Sequence, residues 1–256
     1  EVADYLQDIR ASKSIIGFVP TMGALHDGHL ALVKQAKQET DYVVVSVFVN
    51  PTQFNNSSDF DKYPNQLEQD LMLLTEAAVD CVFVPSVEEL YPQASNVSFD
   101  FGYLETVMEG KFRPGHFNGV ATVVSKFFHL VAPHKAYFGQ KDIQQVAVIK
   151  AMVAGLSFQL DIIVSPTLRE TSGLAMSSRN QRLTEKEFVT ASSIYEMLCN
   201  MRDELIRGVS FTSLKQKEIE VLEQKAGFRV EYLELVDVTS LENITEISTG
   251  EYAICI

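Results

Sequence analysis

Cysteine is scarce: Cys81, Cys199 and Cys255 are far apart and odd in number. That argues against a disulfide framework and against a cysteine-based zinc site, and it fits a reducing compartment. Positive charge is also short. Lys and Arg total 21 against 34 Asp and Glu, giving a formal net charge of -13 and a pI of about 4.8. Such a chain is a poor general binder of nucleic acid or anionic membrane. An anionic ligand therefore needs donors concentrated locally. The longest apolar run, Tyr42 to Val49, contains Ser46 and is too short to cross a bilayer. Two glycosylation sequons, Asn96-Val97-Ser98 and Asn243-Ile244-Thr245, come without a secretory signal and read as chance. Internal repeats and low-complexity segments are absent, as is any Ser-His-Asp or Cys-His nucleophile signature. The expectation is a soluble, cytoplasmic protein with no nucleic-acid or membrane partner.

What is present is core material. Hydrophobic residues make up 46% of the 256 positions, enough for one large domain or two modest ones. Strand-like runs alternate with helical periodicity. Ile15 to Val19 reads as a buried strand closed by Pro20, Gly28 to Glu39 as a helix, and Tyr42 to Val49 as a strand. After a polar loop from Asn50 to Pro64 come a helix at Leu67 to Val79 and a strand at Cys81 to Val84. The alternation resumes with a helix at Gly119 to Val131 and a short strand at Lys135 to Phe138. A helix at Asp142 to Ala154 and a strand at Phe158 to Val164 follow. This predicts an α/β fold, a parallel sheet covered on both faces, with ligands at the carboxyl ends of its strands. The texture changes near Pro166 to Leu168. Helices at Thr184 to Arg207 and Phe211 to Ala226, with strands at Arg229 to Val238 and Glu251 to Ile256, predict a smaller α+β domain. The expected division is 1–167 and 168–256.

Several stretches could carry chemistry. PTMGALHDGH places His26 and His29 one turn apart where a strand hands over to a helix. Unpaired backbone N–H groups and the helix dipole favour an anion there. A phosphate is one reading. A zinc site is another, without an evident third ligand, and two plain turn histidines are a third. GLAMSSRN supplies Met176, Ser177, Ser178 and Arg179 before a helix. Those hydroxyls and that cation suit the far end of a polyphosphate, or else form a polar loop. FGQKDIQQV carries Gly139, Lys141, Asp142, Gln144 and Gln145, and VNPTQF carries Asn50 and Gln53 just past a strand end. Amides read hydroxyls and carboxylates without charge. RPGHFNGV adds His116, a loop histidine that is either catalytic or structural.

Taken together and in this order, these motifs closely resemble those of the pantothenate synthetases (pantoate–β-alanine ligases), from about Ile15 to Arg182 and more loosely through EYLELVD. The tetrad is also similar to the HIGH signature of the nucleotidyltransferase superfamily, and MSSRN to the KMSKS loop of class I aminoacyl-tRNA synthetases. The resemblance implies a Rossmann-like amino-terminal domain, a carboxy-terminal lid domain, a homodimer, and ATP with Mg2+. It implies attack of pantoate on the α-phosphate to give pantoyl adenylate and pyrophosphate, then attack of β-alanine to give pantothenate and AMP.

Carried over position by position, His26 and His29 bind the phosphates and stabilise the transferring group, helped by the Met22 N–H. Lys141 and Arg179 hold phosphates beside Ser177 and Ser178. Gly139 and Asp142 lie against the nucleotide, with Met176 also on it. Asn50, Gln53 and Gln145 bind pantoate, and Asp70 is a loosely matched magnesium ligand. The first step starts from a carboxylate, so it requires alignment and charge relief rather than a protein base. The second needs a neutral amine, and no base for it is evident. Two other readings remain. A different adenylyltransferase would share the tetrad but not the glutamine pair, and a nucleotide-sensing module would bind without turnover. A tRNA synthetase is disfavoured by a short, acidic chain. The start at Glu1 and the end in EYAICI suggest a chain clipped at both ends.

Overall fold

The β-branched runs form the centre of the molecule. In this computed structural model, which describes residues 2–93, 96–225, 227–247 and 249–256, five parallel strands are ordered β3-β2-β1-β4-β5. They are β1 (Ile16–Thr21), β2 (Tyr42–Val47), β3 (Cys81–Phe83), β4 (Lys135–Gly139) and β5 (Asp161–Ser165). Strand alternation explains the two covered faces. Val44 of β2 joins Phe18, Phe127 and Phe128 in one apolar cluster, whereas its neighbours Val43 and Val45 join Val19, Leu32 and Val33 in the other.

The crossover helices supply the facing layers. They are α1 (Asp27–Glu39), α2 (Leu67–Glu76), α3 (His116–Val131) and α4 (Ile143–Gly155). The chain winds outward from β1 to β3, then returns to place β4 on the other side of β1. The loops leaving β1 and β4 therefore diverge, and a crevice opens between them at the carboxyl ends.

Pro20 lies inside β1 instead of closing it. Its pairing with β4 covers only Gly17 and Phe18, so the missing N–H at Pro20 breaks no bond on that side. The loop from Asn50 to Pro64 contains a 3-10 turn at Pro51–Gln53 and a short helix at Ser57–Asp61, which its polar composition did not signal. α3 begins at His116, three residues earlier than expected, after Gly115 in the left-handed region.

Beyond β5, a 3-10 turn (Ser178–Arg182) leads to α5 (Glu185–Ile206) and α6 (Phe211–Glu223). Thr184 caps α5 in a reciprocal box with Glu187. The last residue of the expected second helix, Ala226, lies outside the described residues. Only β6 (Glu234–Asp237) of the expected Arg229 to Val238 strand is paired, because its antiparallel partner β7 (Tyr252–Cys255) is itself four residues long. These elements pack around Met201, Leu222 and Leu233, while Val236 and Leu241 meet Met108 and Ile143 of the first half. No helix among the described residues is long and apolar enough to cross a membrane.

Candidate active site

The crevice between the β1 and β4 loops is a cavity, and its wall is built mostly from the nominated residues. Met22, His26 and His29 come from the β1–α1 junction, and Gly139, Lys141, Asp142 and Gln145 from the β4–α4 junction. Gln53 comes from the loop after β2, and Met176 to Arg179 close the cavity from the carboxy-terminal side. Asn50 lines an adjoining cavity that shares His29, Gln53 and Gln145 with it, and Asp70 lies outside both.

His26 and His29 are wired to the start of α1. His26 is its N-cap, and its Nδ1 accepts from the Gly28 N–H (3.1 Å). The His26 N–H donates to Nδ1 of His29 (3.3 Å). With Nδ1 occupied as an acceptor, each neutral ring carries its proton on Nε2. The rings lie against each other with centroids 4.0 Å apart, their planes tilted by 36°. Burial, then the neighbouring His26 and Lys141, pushes the His29 pKa down to about 3, and burial and Lys141 also lower that of His26. Both are therefore uncharged N–H donors at neutral pH, not cations. Gly28 makes the arrangement possible, since a Cβ there would lie 2.8 Å from His26 Cε1. For the described residues, no group of three or more His, Cys, Asp or Glu is placed to hold a metal.

The amide of Gln53 is held rigidly. It is 7% exposed, with Nε2 against Met22 Sδ (2.9 Å) and Oε1 accepting from Asn50 Nδ2 (3.1 Å). Asn50 stands behind it and is fully engaged. Its Nδ2 also reaches the Gly119 carbonyl (3.1 Å), and its Oδ1 accepts from Thr52 Oγ1 (3.0 Å) and Tyr91 Oη (2.9 Å). Asn50 thus positions the Gln53 amide, and it also lines an adjoining cavity with His29, Gln53 and Gln145. Gly119 lets α3 lie directly on this turn, because a Cβ would meet the Thr52 carbonyl oxygen at 2.4 Å.

Asp70 is also held from behind the cavity wall. It is 1% exposed, and its two oxygens accept from the Ala24 N–H (2.9 Å) and the Leu25 N–H (2.7 Å). It fixes the loop that leads into the histidine tetrad, and it does not face the cavity as a magnesium ligand would.

The cations are each tethered to a carboxylate. Lys141 Nζ lies 2.8 Å from Asp142 Oδ1. Arg179 reaches Asp59 Oδ2 (2.9 Å) and Arg182 reaches its Oδ1 (2.8 Å), joining the Ser57–Asp61 helix to the MSSRN turn. Ser178 is buried and donates to the Ala24 carbonyl (2.9 Å), while Ser177 caps the turn. Gln145 shares the wall, whereas Gln144 turns away and donates to the Leu104 and Val107 carbonyls (2.7 and 2.9 Å).

Sequence reasoning missed Tyr63, Glu109 and Arg113, which line the same cavity. Burial raises the Tyr63 hydroxyl, against the pull of Ser178 and Arg179, so it stays protonated. Glu109 and Arg113 form an i,i+4 ion pair. That spacing is visible in the sequence and was the available signal. Nδ1 of His116 lies 2.8 Å from the Gln53 carbonyl and donates to it, which leaves Nε2 to accept from Arg113 (3.2 Å). Burial, then Arg113, lowers the His116 pKa, so this ring too is neutral. His116 lines the cavity and carries the Gln53 backbone.

The chemical sense of the site is a row of uncharged and cationic donors at one end and fixed amides at the other. Comparison with known proteins agrees. The family model described as pantoate-beta-alanine ligase matches residues 1–256. The chain is 48% identical over 254 residues to a pantothenate synthetase of Cytophaga hutchinsonii, covering 98% of this chain and 90% of that protein. It is 49% identical over 255 residues to one from Azobacteroides pseudotrichonymphae, covering 99% and 91%. The crystal structure of pantothenate synthetase from Thermus thermophilus superimposes with a TM-score of 0.89 at 42% identity, over 97% of this chain and 92% of that one. The pantoate-beta-alanine ligase of Francisella tularensis, solved with beta-gamma ATP and beta-alanine, matches with a TM-score of 0.80 at 42% identity, over 91% and 87%.

Proposed function

The chain belongs to the pantoate–β-alanine ligase family, and from that premise we propose how its cavity performs the family's reaction. The enzyme condenses pantoate with β-alanine at the expense of ATP, through pantoyl adenylate, releasing pyrophosphate and AMP. The observation that carries the residue roles is the convergence of His26, His29, Lys141 and Arg179 with Gln53 and Gln145 on one cavity.

The triphosphate lies along the first four. Nε2–H groups of His26 and His29 donate to oxygens on which charge grows as the pantoate carboxylate attacks the α-phosphate. They are preorganised by the helix start, so they need no rearrangement at the moment of reaction. Lys141 and Arg179 neutralise phosphate charge by exchanging their carboxylate partners for it. Gln53 and Gln145 hold pantoate in line for attack, and Gly139, Asp142, Met176, Ser177 and Ser178 surround the nucleotide. Magnesium, brought with ATP, would relieve charge on the phosphates beside Lys141 and Arg179.

Residues from Leu168 onward act as a lid domain. Support comes from their own apolar cluster and from the reach of Ser178 to Ala24. A cytoplasmic homodimer is proposed on family grounds, and light scattering tests the dimer.

The test of the reaction is pyrophosphate release from ATP and Mg2+ with pantoate alone, then with β-alanine. The expected result is a pyrophosphate burst in the first condition and steady AMP and pantothenate formation in the second. Absence of pyrophosphate in both overturns the reading.

A further inference from the structure

Two carboxylates line the cavity, Asp142 and Glu109. Asp142 is paired with Lys141 beside the tetrad and is half exposed. Glu109 lies at the other end, on the short helix Met108–Phe112. Its backbone N–H donates to Gln144 Oε1 (3.0 Å), which pins that helix to α4. Its side chain is 29% exposed and presents Oε1 to Arg113 and to His116 Nε2 (3.7 Å). Among the described residues, no hydrogen bond or ion pair engages Oε2. The same Arg113 and His116 hold the Gln53 carbonyl, at 3.4 and 2.8 Å. Glu109 is thereby fixed next to the amide that positions the acyl donor, with one oxygen anchored and one available.

The reaction supplies a group that needs such an oxygen. The second substrate arrives as an ammonium, and among the described residues Glu109 is the carboxylate at that end of the cavity. Around Glu109 stand Arg113, which caps the end of its own short helix, and His116 at the start of α3, with Arg179 and Tyr232 within electrostatic reach. His116 is neutral, so Arg113 is the one cation that contacts the carboxylate directly.

We propose that Glu109 receives the ammonium of β-alanine and takes up the nitrogen's last surplus proton as the amide forms. This rests on the reading that the cavity makes pantoyl adenylate. Two protons leave the nitrogen overall. One goes to solvent before attack and frees the lone pair. That pair forms the C–N bond at the acyl carbon, and the C–O bond to the adenylate phosphate breaks, its electrons leaving with AMP. The nitrogen of the tetrahedral adduct is strongly acidic, and its proton passes to Glu109 Oε2.

Glu109→Gln keeps the shape and removes the charge. Expected are pantoate-dependent pyrophosphate bursts within about threefold of the parent, a β-alanine KM raised about tenfold or more, and a lowered kcat. Hydroxylamine, an uncharged nucleophile at neutral pH, bypasses the ammonium contact, so its trapping of the adenylate should fall far less in the variant than the reaction with β-alanine does. Glu109→Asp should restore part of the β-alanine KM. An unchanged β-alanine KM in Glu109→Gln overturns the proposal, as does equal loss of hydroxylamine trapping. Loss of the burst in the variant alone also overturns it, by making Glu109 a structural residue. A parent without a burst removes instead the reaction on which the inference rests.

Discussion

The two halves of the cavity wall are built differently. On the sheet side, side chains are buried and their polar atoms are spent inward: Asn50 on Gln53, Asp70 on the tetrad loop, His116 on the Gln53 carbonyl. On the carboxy-terminal side, Arg179 has 42% of its side chain exposed and is held by one carboxylate from a short surface helix. The first half fixes geometry before a substrate arrives. The second offers cations that can change partner. A reaction that must both align a nucleophile and admit a bulky nucleotide uses the two properties in separate places.

That contrast can be broken most severely on the rigid side. His29→Ala removes a preorganised donor and should slow single-turnover pyrophosphate formation by ~100-fold or more. A near-normal rate would mean the ring is not at the transferring group. In the parent, the low His29 pKa gives a further signature. The unfolded chain binds a proton on this histidine from about pH 6.5 downward, whereas the folded one resists until about pH 3. Stability should therefore fall as pH drops across that window, while the ring's NMR shifts stay flat.

Gly119→Ala should have a smaller effect of a different kind. The added methyl meets the backbone carbonyl of Thr52, so α3 or the Gln53 turn must shift, at a cost of about 1–3 kcal/mol. Thermal unfolding should show the loss, and pantoate KM should rise more than ATP KM.

The mildest change is Asp59→Asn on the exchangeable side. Burial raises the Asp59 pKa, but the hydrogen bonds and charges of Arg179 and Arg182 outweigh it and hold the carboxyl below its usual range. The stabilisation is thus present near neutral pH and lost as pH falls through the acidic range. The Asp59 side chain is 26% exposed and its arginine partners are more so, and solvent screening should keep the effect on stability at neutral pH to about 1 kcal/mol. Apparent ATP affinity should tighten a few-fold as Arg179 is released. Weaker ATP binding would show that Asp59 orients Arg179 for phosphate instead of competing with it.

The sheet was legible because buried parallel strands must be continuous apolar runs, as in VVVSV. The helices that cover it carried their own periodicity. What stayed hidden depends on contacts distant in sequence. Asn50 and Gln53 share one motif and one chemistry, and only the approach of α3 decides that Asn50 is tied to the Gly119 carbonyl while Gln53 reaches Met22. Asp70 reads as a generic acid until the Ala24 and Leu25 N–H groups are seen to meet it. Glu109 looks like one more surface glutamate on a short helix, since its importance comes from Gln53, far earlier in the chain. The overlong strand expected at Arg229 to Val238 has a similar cause, because pairing length is set by the partner strand.

The wiring of the tetrad also sets a substitution grammar. At positions 26 and 29 the side chain acts as a two-ended connector, taking a hydrogen bond from the backbone at its near end and giving one to the cavity at its far end. Lysine and arginine have only donors, so added charge cannot replace what is lost. Asparagine and glutamine share the two-ended character without the ring's reach and stiffness. If any substitution keeps residual adenylation, it should be one of these amides.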